Sequence, residues 1–215
     1  MKATLTNDAA ERRSAMTVII TVLRVLVALF LTAMLLFACS RPQAQTHESD
    51  AAPAVSNQQL VERGAYLVTI MGCNDCHTPK VFSPNGMALD SSRLLSGHPA
   101  DEKLPPVPAG QGFAHFSPSL TAAIGPWGVS FAANLTPDPL GLGGWSFDQF
   151  ETAIRHGKYR GIEGGRPLLP PMPWQNLMNI HDEDARAIFA YLQSLPPVAN
   201  QVPAPIPPGD MIVSN

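Results

Sequence analysis

Cysteine, charge and aromatic side chains are all scarce in this 215-residue chain, which holds three cysteines, 14% charged and 7% aromatic residues. Three cysteines cannot build the dense cross-linking of a small secreted scaffold. Fourteen Lys and Arg against seventeen Asp and Glu leave no positive field to hold nucleic acid, so that class of partner is excluded. What abounds is proline. Most of the 22 prolines lie between Pro79 and Pro208, which predicts long ordered loops and sparse regular structure. The length and a 45% hydrophobic content suit one domain with a core.

The start carries Lys2, Arg12, Arg13 and Arg24, then an apolar run from Val25 to Ala38 and a cysteine at Cys39. That order is an export signal, here residues 1–38. Leu36-Phe37-Ala38-Cys39 resembles a lipobox, with Cys39 as the lipidated first residue of the mature protein, although Phe37 stands where a small residue is usual. The alternative is an uncleaved membrane helix from Met16 to Ala38, with Arg24 near its cytoplasmic end. Both readings place the folded part on the periplasmic side of the cell envelope, tethered to a membrane. Residues 39–56 are rich in Ala, Gln, Ser and Pro without apolar period, the composition of a flexible linker. A domain over residues 57–197 and a Pro-rich extended tail over 198–215 complete the expected layout.

Cys73-Asn74-Asp75-Cys76-His77 matches the C-x-x-C-H sequence that attaches haem c. Two thiols three positions apart can reach the two vinyl groups on one edge of the macrocycle, and the adjacent histidine then lies under the iron. A zinc site would need further ligands at suitable spacing, and none is present. A redox dithiol belongs at a strand-to-helix junction, whereas this motif ends an amphipathic helix. One covalent haem is therefore expected, with Cys73 and Cys76 as its thioether partners and His77 as an axial ligand.

A low-spin electron carrier needs a second axial ligand, usually Met or His. Met172 is the favoured candidate because Pro170, Pro171 and Pro173 frame it, and rigid presentation suits a weakly binding thioether. It lies 95 residues after His77, enough for a loop to return over the opposite haem face. Met71 is expected in the core, Met87 and Met178 lack the proline frame, and His98 and His115 are the histidine rivals. His156 and His181 read as exposed helix-terminal residues.

Ser56 and Gln59 form a capping box for a helix from about Asn57 to Met71, whose apolar positions are Leu60, Gly64, Leu67, Val68 and Met71. Gly64 implies a close crossing by the last helix, which opens at His181 with three carboxylates in its first turn and stops at Pro196. Ser146 and Gln149 cap a third helix ending at Gly157. Between Pro79 and Gly144 only 111–116 and 129–135 read as short strands, so that stretch is expected to wrap the haem.

These segments resemble a bacterial family of single-haem c-type cytochromes related to the cytochrome subunits and domains of membrane-bound alcohol and aldehyde dehydrogenases. The likeness covers about Leu60 to Val198 and rests on Gly64-Ala65-Tyr66-Leu67, Gly72 to Pro79, Ala133-Asn134-Leu135-Thr136-Pro137-Asp138, Gly141 to Ser146, Ala153 to Gly157, Met172-Pro173-Trp174 and Ala190-Tyr191-Leu192. It implies a mainly α fold, like class I c-type cytochromes, with a few helices around one haem and a long Pro/Gly-rich loop insertion. It implies the ligand role for Met172, and contacts from Asn134 and Thr136 to the haem edge or propionates. One C-x-x-C-H instead of several sets this chain apart from the dehydrogenase subunits. The implied function is non-enzymatic electron transport, with a dehydrogenase as donor and an oxidase or soluble cytochrome as acceptor. An obligate subunit of a dehydrogenase complex, and a haem enzyme or gas sensor with an open sixth site, are the alternatives.

Overall fold

The computed structural model describes residues 16–18, 20–32, 34, 56–104, 107–108, 114–211 and 213–214. The chain divides into two units, Met1–Pro53 and Ala54–Asn215. In the first, the described residues between 16 and 34 are helical and exposed. Among the described residues no helix is long and apolar enough to cross a membrane. Cys39, residues 39–55 of the linker, and residues 1–15 and 35–38 of the export signal lie outside the described residues.

Among the described residues the second unit holds four α-helices: α1 (Asn57–Ile70), α2 (Cys73–His77), α3 (Phe147–His156) and α4 (Asp182–Ser194). Helix α1 begins where the capping box put it. Ser56 Oγ accepts from Gln59 N at 3.2 Å, and Gln59 Oε1 accepts from Ser56 N at 2.9 Å. These bonds satisfy two of the amide groups that a helix start leaves unpaired. Met71, expected in the core, is 37% exposed. The helix stops at this residue, and Gly72 turns the chain in the left-handed region (φ 70) before α2. Helix α3 repeats the capping box with Ser146 and Gln149 and ends at Gly157 (φ 61).

Helices α1 and α4 cross at Gly64, as its place in the apolar stripe implied. A Cβ at Gly64 would collide with the Ala187 carbonyl and lie 2.7 Å from Tyr191 Cβ. Ala187 is itself wholly buried, so small residues on both helices let the backbones approach. Leu67 and Val68 of α1, Phe150 and Ile154 of α3, and Ile188 and Leu192 of α4 make one apolar cluster, joined by Leu95 and Leu142 from the loops. Arg63 pairs with Asp184, and Arg155 pairs with Glu151 and Asp182. Two of the three carboxylates read as dipole partners at the start of α4 thus also meet cations from α1 and α3.

The mainly α expectation needs amendment between Pro79 and Gly144, where small sheets form. β1 (Lys80–Ser83) and β2 (Gly86–Leu89) make an antiparallel hairpin directly after α2. β3 (Val107–Pro108) pairs in parallel with β7 (Val213–Ser214). β4 (His115–Phe116), β5 (Ala122–Gly125) and β6 (Gly128–Phe131) form a three-stranded antiparallel sheet. The strand expected over 129–135 lies slightly earlier, at β6, and the one expected over 111–116 is seen as β4. The segment after Val198 is extended but attached: Ile206 and Val129 exchange both backbone hydrogen bonds, at 2.8 and 3.0 Å. Asn200 donates to the Ser96 and His98 carbonyls and accepts from Ala100 N.

Gly64→Ala is expected to lower stability by about 1–3 kcal/mol, because a side chain forced into a packed crossing must push the helices apart. Chemical denaturation of the variant should show an earlier midpoint than that of the parent protein.

Candidate functional site

The five-residue helix α2 places Cys73 and Cys76 three positions apart on one face, with His77 next in line. Both thiols are free of disulfide and partly buried. Burial raises the Cys73 thiol from its usual value to about 11, and burial also raises Cys76, against the pull of Lys80. Catalytic dithiols keep a lowered thiolate pKa. These two stay protonated, which argues against disulfide exchange. Among the described residues, no group of three or more His, Cys, Asp and Glu could hold a metal ion.

His77 Nδ1 lies 2.8 Å from the Ala133 carbonyl oxygen. A carbonyl can only accept, so the proton sits on Nδ1 and the lone pair on Nε2. Nε2 makes no hydrogen bond among the described residues. Burial pushes the His77 pKa down, opposed by this hydrogen bond, so the ring is held neutral and able to ligate.

The loop that supplies this carbonyl is tied down on both sides. His98 N donates to Ala132 O at 2.9 Å, Gly97 N to His77 O at 2.8 Å, and Leu135 N to Leu95 O at 2.8 Å. Asn134 Nδ2 donates to the Val198 and Asn200 carbonyls, and its Oδ1 accepts from Thr136 N and Oγ1. Thr136 Oγ1 in turn accepts from Val198 N at 3.1 Å. Both side chains, picked out in the sequence as haem contacts, are buried and turn their hydrogen-bonding capacity inward.

Lys80 is a feature the sequence reading missed. Its Nζ donates to the carbonyls of Asn74 (2.9 Å), Asp75 (2.7 Å) and Thr78 (2.6 Å), closing the end of α2 with a cation where the helix dipole favours one. Burial lowers its pKa, with Cys76 and Asp75 opposing. Thr78 completes the junction by donating to Asn74 Oδ1 and accepting from Leu95 N. A lone lysine three residues after the C-x-x-C-H histidine was the available signal.

Met172 is partly buried. Its loop is anchored by Ser130 Oγ, which donates to Pro170 O at 2.6 Å, and by Leu168 N, which donates to Gly157 O at 2.7 Å. Trp174 fills the space beside Gly157 where a side chain would stand. Ser130 and Ala133 are three residues apart, about 10 Å of extended chain. His77 and the Met172 loop are thus fastened to the same short segment.

The rivals are placed elsewhere. Met87 and Met178 are exposed. His98 is wholly buried, with Nδ1 2.8 Å from Thr121 Oγ1 and its ring 4.8 Å from that of Phe131. Strand alternation puts Phe131, Val129 and, through Ile124, His115 on the face opposite Ser130, which carries the Met172 loop. His156 and His181 are exposed at helix ends, as expected.

No family model matches the chain. It is 32% identical, over 67% of its length, to a nicotinate dehydrogenase subunit of Pseudomonas putida. It is also 32% identical over 67% of its length to the gluconate 2-dehydrogenase cytochrome c subunit of Pantoea cypripedii, and 28% identical over 73% to the cytochrome c subunit of alcohol dehydrogenase (quinone) of Gluconacetobacter polyoxogenes. The chain is a homologue of dehydrogenase cytochrome c subunits. The resemblance read from the motifs is thereby borne out. The matched regions are 9%, 25% and 25% of those three proteins, so the chain spans a quarter or less of their length. Its residues fit the covalent haem that the relationship implies: two protonated, unpaired thiols on one helical face, and beside them an imidazole whose proton is held on the far nitrogen.

Replacing Lys80 by Met should destabilise the haem-attached protein by about 1–3 kcal/mol, because three buried or partly buried carbonyls lose a charged donor. Denaturant titration of the variant checks this. Burial holds His98 below the usual histidine pKa of 6.5, with Glu102 and Asp101 opposing. A buried neutral histidine contributes stability fully above the unfolded pKa, and that contribution is lost as pH falls through 6.5 toward the folded value. Denaturation midpoints should therefore drop between about pH 7 and pH 5, and His98→Asn should flatten that slope.

Proposed function

We propose that this chain is a membrane-tethered electron-transfer protein, not an enzyme, carrying one haem c on the periplasmic side of the cell envelope. Cys73 and Cys76 would hold the haem by thioethers, and His77 Nε2 and Met172 would be the two protein ligands to its iron. The observation that carries this reading is the His77–Ala133 hydrogen bond, which leaves Nε2 unprotonated on the helix that carries Cys73 and Cys76. The haem, when bound, supplies a one-electron couple, and a thioether ligand favours its ferrous form and raises the potential. The protein's own contribution is to keep both ligands in place so that only an electron crosses its boundary. Ser130, tethering Pro170, restrains the Met172 loop, while Asn134 and Thr136 act on the site through the position of the Ala133 carbonyl.

The donor in this reading is a dehydrogenase, and the acceptor an oxidase or a soluble cytochrome. The relatives are named as subunits of dehydrogenases, which favours a second version in which the chain is an obligate electron-transfer subunit of such a complex. The export signal, with Cys39 as lipid attachment point or residues 16–38 as anchor, supports both versions. An open sixth position, as in a gas sensor or haem enzyme, is disfavoured by the anchoring of the Met172 loop.

The ferric visible spectrum tests the ligand set. The purified protein should show the sulfur-to-iron charge-transfer band, and Met172→Ala should lose it while keeping its haem. A high-spin spectrum in the parent protein would transfer the reading to an open site. Cys73→Ser with Cys76→Ser should yield chain without covalently attached haem in a denaturing gel stained for haem.

A further inference from the structure

After residue 38 the chain has ten Lys and Arg against fifteen Asp and Glu, a formal charge of −5. Its basic residues are nevertheless concentrated: Arg155, Lys158, Arg160 and Arg166 all fall within twelve residues. Arg155 is neutralised by Glu151 and Asp182. Lys158, Arg160 and Arg166 form no ion pair among the described residues, and Glu163 is the acidic residue of their loop.

The backbone presents these cations next to the Met172 loop. Tyr159 N donates to Arg166 O at 2.9 Å, and Lys158 bridges Pro167 in antiparallel fashion, so the outgoing and returning segments are zipped together. The Arg166 guanidinium lies over the Tyr159 ring, 3.7 Å from its centre, and donates to Pro167 O at 2.9 Å. Arg160 is exposed in left-handed backbone (φ 58), and Ile162 beside it is 54% exposed. From Arg166 the chain runs through Leu168, fixed to Gly157 O, to Met172. Unpaired cations around an exposed aliphatic side chain and a partly covered aromatic ring have the make-up of a protein-docking surface.

We propose that Lys158, Arg160 and Arg166, with Ile162 between them, are the docking face for an acidic surface on the redox partner, which exchanges electrons on the Met172 side of the molecule. The proposal rests on Met172 being the axial ligand. Charges farther away than about 8 Å are largely screened at physiological salt. The local cations therefore govern close approach even though the protein as a whole is acidic, and they set encounter rate and register.

Small complex ions of opposite charge provide the test, because the local patch and the net charge predict opposite signs. With the full-length holoprotein in neutral detergent, hexacyanoferrate(III) takes one electron from the ferrous form, becoming hexacyanoferrate(II) with no bond made or broken. If the patch governs approach, this rate falls about threefold or more as salt is raised from low to physiological ionic strength. It also falls in Lys158→Gln with Arg160→Asn, whereas the rate with cationic tris(phenanthroline)cobalt(III) does not fall. Independently of electron transfer, paramagnetic hexacyanochromate(III) should broaden the amide resonances of 158–166 and of the Met172 loop. A hexacyanoferrate(III) rate that rises with salt, or broadening located elsewhere, overturns the proposal. Unchanged rates in the double variant together with lost binding to anionic phospholipid vesicles would make the patch a membrane contact, and would also overturn it. Absence of the sulfur-to-iron band in the parent protein removes the ligand reading itself, a result separable from the mapping by broadening.

Discussion

The hydrogen bond from His77 Nδ1 to the Ala133 carbonyl is the constraint on which the site depends. It fixes the tautomer, turns the free nitrogen away from the loop, and joins the end of α2 to a segment more than fifty residues further along. Much of the surrounding structure keeps that one carbonyl in place. Asn134 and Thr136 bind the chain after Val198, Asn200 clamps the carbonyls of Ser96 and His98, and Ile206 pairs with Val129. The terminal segment is therefore a strap across the loops that carry the site.

A second constraint acts on Met172, the proposed opposite ligand. The loop bearing Met172 has prolines that limit its own freedom, and two outside bonds fix where it stands: Ser130 from β6 and Gly157 at the end of α3. Because β6 continues directly into Ala132 and Ala133, a displacement of that strand would move both candidate ligands together. This coupling suits outer-sphere electron transfer, in which little nuclear rearrangement should accompany the change of charge. Two α-helices crossing at Gly64 form the stable base on which α2 is mounted.

Helices α1, α3 and α4 and the C-x-x-C-H motif were legible in the sequence because each is a local pattern, whereas the motif, read as the end of the first helix, sits on a separate short helix after the left-handed Gly72. Both capping boxes, the Gly64 crossing and the proline stop after α4 depend on residues a few positions apart or on a glycine in an apolar stripe. Most of the sheet structure was not legible. β5 is four residues, Ala122-Ala123-Ile124-Gly125, with no alternation to set it apart from loop, whereas β4 and β6 fall close to where short strands were expected. The β1–β2 hairpin turns at Pro84-Asn85-Gly86, a turn signal that is easily lost among the many prolines and glycines of that region. The Ala133 carbonyl carries no side-chain signature at all, and the roles of Ser130 and Asn200 arise from partners 40 and 104 residues away. Asn134 and Thr136 were identified as important from resemblance, yet the bonds they make are to the protein.

The homology to cytochrome c subunits and the geometry of α2 support the proposed covalent attachment of a haem to Cys73 and Cys76. The most direct measurement of that claim is the intact mass of the chain matured in a host with working haem-attachment machinery, combined with titration of its free thiols. The mass should exceed that of the bare chain by one haem, and no reactive thiol should remain at positions 73 and 76. A colourless chain of unmodified mass with both thiols reactive would contradict it.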